Sequence, residues 1–318
     1  MLPYFPTPAP DELLYSLLAR YHRHTCSVSP KATMRDLFGQ AGVRATVDLP
    51  GHLQVLAERL PASFGFGALK LAQSLTLLPY HVALRHREVA LSVFRAMASG
   101  TTTGLHLRLG LGALSARRPL ALRYCPACHE SAAVAGDRYW SRAHQLPGVL
   151  VCPLHGEPLF PVPPDVPPVG QHAFLAAVGL PYREQPAPAW SRSDASMGLL
   201  RRIAVESAAC LEVPLFQGVP PMRADLIARC AASGLMRSEQ QADQAAIERR
   251  HAGALAPLKG ILPEAGDIGW LMTMVRKTRC AIRPLHAILF GLVLDHPGEY
   301  CRPRTKPSER RFLRDDHS

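Results

Sequence analysis

Four side chains stand out for the chemistry they could do together. Cys125-Pro126-Ala127-Cys128 is followed, after 23 intervening residues, by Cys152-Pro153-Leu154-His155. Two short ligand pairs separated by a loop are the pattern of a tetrahedral zinc centre, in which each pair forms a knuckle and the loop folds back to bring them together. Three thiolates and an imidazole suit Zn2+ better than hard cations such as magnesium or calcium. With all four positions filled by protein no place is left for an activated water, so the expected role of the metal is structural. His144 is a competing ligand by chemistry but lacks the paired spacing of His155. A redox CxxC would leave Cys152 and His155 without a purpose. The other five cysteines, Cys26, Cys210, Cys230, Cys280 and Cys301, are scattered, as core-packing residues of a reducing compartment would be.

A second group carries charge. Arg276, Lys277, Arg279 and Arg283 lie close in sequence, with Trp270, Leu271 and Val275 available for a buried side. They are the candidate nucleic-acid contacts, although a solvated helical face has the same pattern. The whole chain has a formal net charge of +11. That favours an anionic partner without distinguishing DNA, RNA or an acidic protein.

The elements expected to position these groups are helical. Pro10 and Asp11, with Asp11 as a cap, precede Leu13, Leu14, Leu17, Leu18 and Tyr21 on one helical face. Arg20, His22, Arg23 and His24 occupy the other side. Ser29 and Pro30 start a short helix through Leu37 and Phe38, broken from Gly39 to Gly42. Leu53, Leu56 and Leu60 continue the spacing, and Glu88 to Met97 reads as another helix ended by Ser99 and Gly100. Such short helices suit a helix-turn-helix and equally a small bundle. Gly104 to Gly112 holds no complete phosphate-binding fingerprint and reads as turn or packing chemistry. The proline-dense run from Pro158 to Pro168 favours an extended connector. Beyond it Met197, Leu200, Ile203 and Ala204, then Leu226, Ile227, Cys230 and Leu235, resume helical patterns. Two more helices are expected in 267–294, the second beginning at Pro284.

The expected fold class is therefore mainly α and multidomain. It comprises a helix-turn-helix-like amino-terminal region (1–120), a zinc-binding segment (121–160), a proline-rich linker (161–190), a carboxy-terminal helical domain (191–300) and a charged tail (301–318). Met1 to Pro6 is not a signal sequence, and the apolar run Leu285–Leu294 is far short of the roughly 20 residues that cross a bilayer. A soluble, cytoplasmic protein without a membrane partner is expected.

Several motifs together resemble the TniQ/TnsD family of transposon target-selection proteins. They are Pro10-Asp11-Glu12-Leu13-Leu14-Tyr15-Ser16-Leu17-Leu18-Ala19-Arg20, Arg123-Tyr124-Cys125-Pro126-Ala127-Cys128, Tyr139-Trp140-Ser141-Arg142, and His144-Gln145-Leu146-Pro147-Gly148-Val149 leading into Cys152-Pro153-Leu154-His155-Gly156. The likeness covers residues 1 to about 160 and returns at Trp270-Leu271 through Arg276, Lys277, Arg279, Pro284, Leu285 and His286. It implies a helix-turn-helix joined to zinc-binding motifs, and a non-catalytic protein that selects an insertion site in target DNA and passes it to a AAA+ ATPase regulator, which recruits the transposase. Longer TnsD-like members recognise an attachment sequence themselves and carry a long carboxy-terminal extension, which is not expected in this chain. TniQ proteins of CRISPR-associated transposons resemble adaptors for an RNA-guided effector complex. A second copy of the chain is a further candidate partner. A different class, a nucleic-acid-processing enzyme with a structural zinc ribbon, finds no support in a Walker A loop, an HExxH helix or a deaminase zinc signature.

Overall fold

The computed structural model describes residues 1–111, 121–135, 137–162, 173–178, 185–217, 222–238, 241–276 and 281–296. These residues hold fourteen α-helices and two small two-stranded sheets. The mainly helical class expected from the sequence holds.

The amino-terminal helices are α1 (Leu14–His24), α2 (Pro30–Phe38), α3 (Leu53–Arg59), α4 (Ala68–Leu75), α5 (Leu78–Val82), α6 (Arg87–Ser99) and α7 (Leu105–Arg108). Most of these helices are too short to be stable alone in water, so tertiary packing has to hold them. One core does this: Leu14, Leu17, Leu18 and Tyr21 of α1 meet Met34 and Leu37 of α2, Leu53 and Leu56 of α3, Leu71 and Leu75 of α4, and Val93 and Met97 of α6. The Ser29 hydroxyl accepts from Ala32 N at 3.2 Å with Pro30 in the first turn, and Gly39 ends α2 in the left-handed region at φ 74°. Both ends of that helix follow the sequence rules for caps. Gly100 ends α6 in the same way at φ 89°.

The expected Asp11 cap on α1 is not formed. Leu13 occupies the cap position and no side chain caps the helix. Asp11 adopts φ 55°, and its carboxylate is committed to the segment around residue 142, described below.

The remaining described helices are α8 (Pro126–Ala135), α9 (Asp194–Ala209), α10 (Met222–Ala232), α11 (Gln244–Ala254), α12 (Pro263–Gly266), α13 (Gly269–Arg276) and α14 (Pro284–Asp295). Leu235, grouped with α10 by spacing, lies beyond its end after Gly234 (φ 68°) yet is still buried. Helix α14 is apolar on every side, and nine of its residues are buried, so it sits within a core rather than on it. It packs with Met197, Leu200 and Ile203 of α9, Ile247 of α11 and Leu271 of α13. No described helix is long and apolar enough to cross a membrane.

A third core joins the two ends of the chain. Leu13, Tyr15, Leu77 and Tyr80 from the first helices, and Ala204 and Leu211 from the later ones, surround Cys125, Trp140, Leu146 and Cys152. The described part of the proline-rich run is extended: Phe160–Pro161 (β2) pairs antiparallel with Arg123–Tyr124 (β1), with Tyr124 opposite Phe160. Residues 163–172, 179–184 and 301–318, which include much of the expected linker and all of the tail, lie outside the described residues.

Candidate metal centre and its supporting residues

The β1–β2 hairpin holds the two ends of the cysteine segment side by side, and the ligands follow from it. Cys125 comes directly after β1 and immediately before α8, which places Cys128 in the first turn of that helix. The second pair lies in a tight turn: Gly156 N donates to Cys152 O at 2.9 Å and Cys152 N to Glu157 O at 2.7 Å. Gly156 closes that turn at φ 68°, and Arg201 of α9 donates to its carbonyl at 3.1 Å. One ligand atom from each of Cys125, Cys128, Cys152 and His155 lies within 4.8 Å of all the others.

These four residues could hold a metal ion, and their spacing tests which one. Zinc bond lengths put tetrahedral edges at about 3.8 Å between two sulfurs and about 3.6 Å between sulfur and nitrogen. Cys128 Sγ is 3.7 Å from Cys152 Sγ. His155 Nδ1 is 3.5, 3.2 and 3.6 Å from the sulfurs of Cys125, Cys128 and Cys152. The donor set and its edges fit zinc. Three sulfurs in contact also need a cation to be charged together. Without one they share protons, and contacts with Cys125 and then Cys152 push the Cys128 thiol up, while contacts with Cys125 and Cys128 hold Cys152 down.

His144 is buried against the cluster from outside the four: its Nε2 is 3.4 Å from Cys152 Sγ and 3.9 Å from Cys128 Sγ. That places an imidazole where it can donate to a ligand sulfur and fix its orientation. His129 is not directed at the cluster. Burial pushes its pKa down to about 4, so the ring is neutral at pH 7. It stacks on Tyr124 at 5.0 Å, and Nε2–H donates to Tyr139 O at 3.2 Å.

The residues between the knuckles are fastened to helix α1. Glu12 is fully buried and accepts from Ala9 N (2.9 Å), Ser16 Oγ (2.8 Å) and Arg20 Nη1 (2.7 Å). Burial pushes its carboxyl up, against the lowering effect of those donors. Ser16 Oγ in turn accepts from Trp140 N at 3.0 Å, and Leu13 N donates to Trp140 O at 2.9 Å. Asp11 accepts from Arg142 Nε (3.0 Å) and Ala143 N (2.9 Å), and Ser141 Oγ also donates to it. Arg142 reaches on to Gln73 O at 2.9 Å. Gln145 exchanges bonds with the backbone of Arg123, both at 3.0 Å, and so ties this loop to the start of the first knuckle. Gly148, at φ 73°, lies so close to α14 that an added Cβ would stand 2.6 Å from Leu285 Cδ1.

Several motif residues thus have a mechanical reason. Ser16, Arg142, Gln145 and Gly148 have no recognisable role in sequence, because each acts through a partner distant in the chain, and Glu12 has none because its buried pairing with Arg20 looks like any surface pair of charges. Their one signal was membership in the quoted motifs.

That interlocked unit coincides with a known domain. Residues 3–159 match the family model TniQ. The first half of this chain is a TniQ domain, and the chain is of the TniQ/TnsD family. The chain is also 33% identical over 162 residues to the Transposon Tn7 transposition protein TnsD of Escherichia coli, a match covering 49% of this chain and 31% of that protein. The chain therefore spans about a third of the length of this curated relative.

The charged group read from the sequence is placed differently from the metal ligands. Arg276 ends α13, is exposed, and donates to Gln244 Oε1. Arg283 precedes α14 and donates to Gly110 O at 2.7 Å. Lys277 and Arg279 lie outside the described residues.

Proposed function

We propose that this chain is a transposition target-selection protein that binds target DNA and recruits a AAA+ regulator to the insertion site. The observation that carries the reading is the coincidence of the TniQ match with a physically locked unit. Residues 3–159 contain helix α1, its Asp11 and Glu12 anchors and the whole four-ligand cluster. The net charge of +11 supports an anionic partner. Zinc at Cys125, Cys128, Cys152 and His155 has a structural role in this reading, with no vacant position for substrate. The protein selects and recruits without itself breaking or joining DNA. Arg276, Lys277, Arg279 and Arg283 remain its candidate DNA contacts on the carboxy-terminal side.

Insertion-site mapping tests the reading. Transposition reconstituted with and without the purified chain should shift from scattered or absent insertion to a defined site when the chain is present, and ATP-dependent co-purification with the regulator should accompany it. Unchanged insertion sites would refute target selection. Site choice that appears only when an RNA-guided effector is added would show an adaptor in place of a direct DNA binder. Metal-dependent cutting or joining of DNA by the chain alone would establish the enzyme reading instead.

A further inference from the structure

Helix α6 turns one face to solvent, and that face carries Glu88, Ser92, Arg95 and Ser99, all exposed. Residues three and four apart share a side of a helix, so the two serines flank Arg95 by one turn on either side. The left-handed Gly100 reverses the chain after α6 and brings Thr101, and then Arg108 of α7, to the same stripe. Glu88, Ser92, Arg95, Ser99, Thr101 and Arg108 line a groove of about 500 Å3 together with Leu91 and Ala96, the polar groups standing over a floor that is largely aliphatic.

Several arginines elsewhere on the chain are committed to carboxylates. Arg20 is spent on Glu12 and Asp137, Arg142 on Asp11, and Arg202 on Glu206 and Asp295. Among the described residues no ion pair or side-chain hydrogen bond engages the guanidinium of Arg95 or Arg108. Glu88, the carboxylate in the lining, is seven residues from Arg95, about 10 Å along the helix axis, and leaves it unneutralised. Ser99 Oγ lies 3.3 Å from both Ala96 O and Thr101 Oγ1, so the two hydroxyls stand side by side at the end of the groove. Unpaired guanidinium groups interleaved with hydroxyl donors are the chemistry that holds phosphodiesters. The groove offers no aromatic or large apolar pocket of the kind that anchors a peptide side chain.

We infer that the α6–α7 groove seats the sugar-phosphate backbone of duplex DNA, with Arg95 and Arg108 each neutralising a phosphate and Ser92 and Thr101 donating to phosphate oxygens. The inference rests on the DNA-binding reading above and gives it a location on the TniQ domain. Contacts of this kind fix position and carry no base preference.

The test is fluorescence anisotropy of the purified full chain with a labelled duplex, in 50 to 200 mM KCl. Neutralising two fewer phosphates lowers the slope of log affinity against log salt by about 1.8, so the advantage of the wild type over Arg95→Ala/Arg108→Ala should shrink about 12-fold across that range. The loss should be alike for unrelated duplex sequences. Glu88→Gln should tighten binding, and Arg95→Lys/Arg108→Lys should retain the slope while the melting temperature of every variant stays at the wild-type value. Equal slopes for wild type and the alanine variant would overturn the groove and leave DNA binding elsewhere on the chain. A wild-type chain with no salt-dependent DNA binding would overturn both the groove and the DNA-binding reading. A loss confined to a polyglutamate peptide probe, with DNA binding intact, would overturn the inference in favour of an acidic partner.

Discussion

Replacing Glu12 by Ala should destabilise the protein by about 3–4 kcal/mol, although Glu12 touches neither metal nor partner. The carboxylate is fully buried and accepts three hydrogen bonds, from Ala9 N, Ser16 Oγ and Arg20 Nη1. Removing one partner of a buried ion pair costs about 3–5 kcal/mol, because the other charge is left without compensation. Two features place the loss toward the lower end. Arg20 keeps a second carboxylate, Asp137 at 3.2 Å, and its side chain is 14% exposed. Ser16 still accepts from Trp140 N. Glu12→Gln keeps the shape and an acceptor but presents its amide to donors, so about 1–2 kcal/mol is expected. At roughly 2–4 °C per kcal/mol for a cooperative unit of this size, the alanine variant should melt at least about 6 °C below the wild type. Glu58→Ala is the control, since Glu58 is exposed and accepts only from Gln54. Differential scanning calorimetry of the three variants measures this. A shift under 2 °C for Glu12→Ala, or one equal to that of Glu58→Ala, would refute the claim that this carboxylate holds α1 to the Trp140 segment.

Three other outcomes follow from the same structure. Cys128→Ser, or chelation, should release about one equivalent of zinc, measured by atomic emission, and expose the backbone of residues 123–161 to hydrogen exchange; full protection without metal would contradict a structural centre. Gly148→Ala adds a methyl group 2.6 Å from Leu285 Cδ1 and strains a φ of 73°, so a loss of about 1–3 kcal/mol in chemical denaturation is expected, and a neutral result would mean that the loop and α14 are not in contact. Burial first, and then Arg283, pushes the pKa of His286 down to about 4. Its folded value lies below the unfolded 6.5, so its contribution is complete above pH 6.5. It is lost as pH falls from 6.5 toward 4, by up to about 3 kcal/mol, because the unfolded chain takes up the proton first. The gap in melting temperature between wild type and His286→Gln should therefore change between pH 7 and 4.5, and a constant gap would refute the shift.

Much of the local structure was legible because local rules govern it. Ser29 and Pro30 start α2 and Gly39 ends it by capping chemistry that needs no distant partner. The ligand pairs were legible for a similar reason, since a knuckle is built from residues three apart. The Asp11 cap was misread because a carboxylate ahead of a helix has two uses, and which one it takes depends on what else is near. Here Arg142 and Ala143, more than 130 residues away, outcompete the local amide groups.

By itself the sequence determined the helical class and the four candidate ligands, because periodicity and spacing encode them locally, and it carried the motifs by which the chain resembles the TniQ/TnsD family. Only the tertiary structure decided what the motif residues do. Glu12, Ser16, Arg142 and Gly148 act through Arg20, Trp140, Asp11 and Leu285, all but the first pair across long chain separations. It also showed which arginines are spent and which have no partner among the described residues: Arg20, Arg95, Arg108 and Arg142 are the same residue in sequence, and only their neighbours in space separate a buried brace from a charge facing solvent.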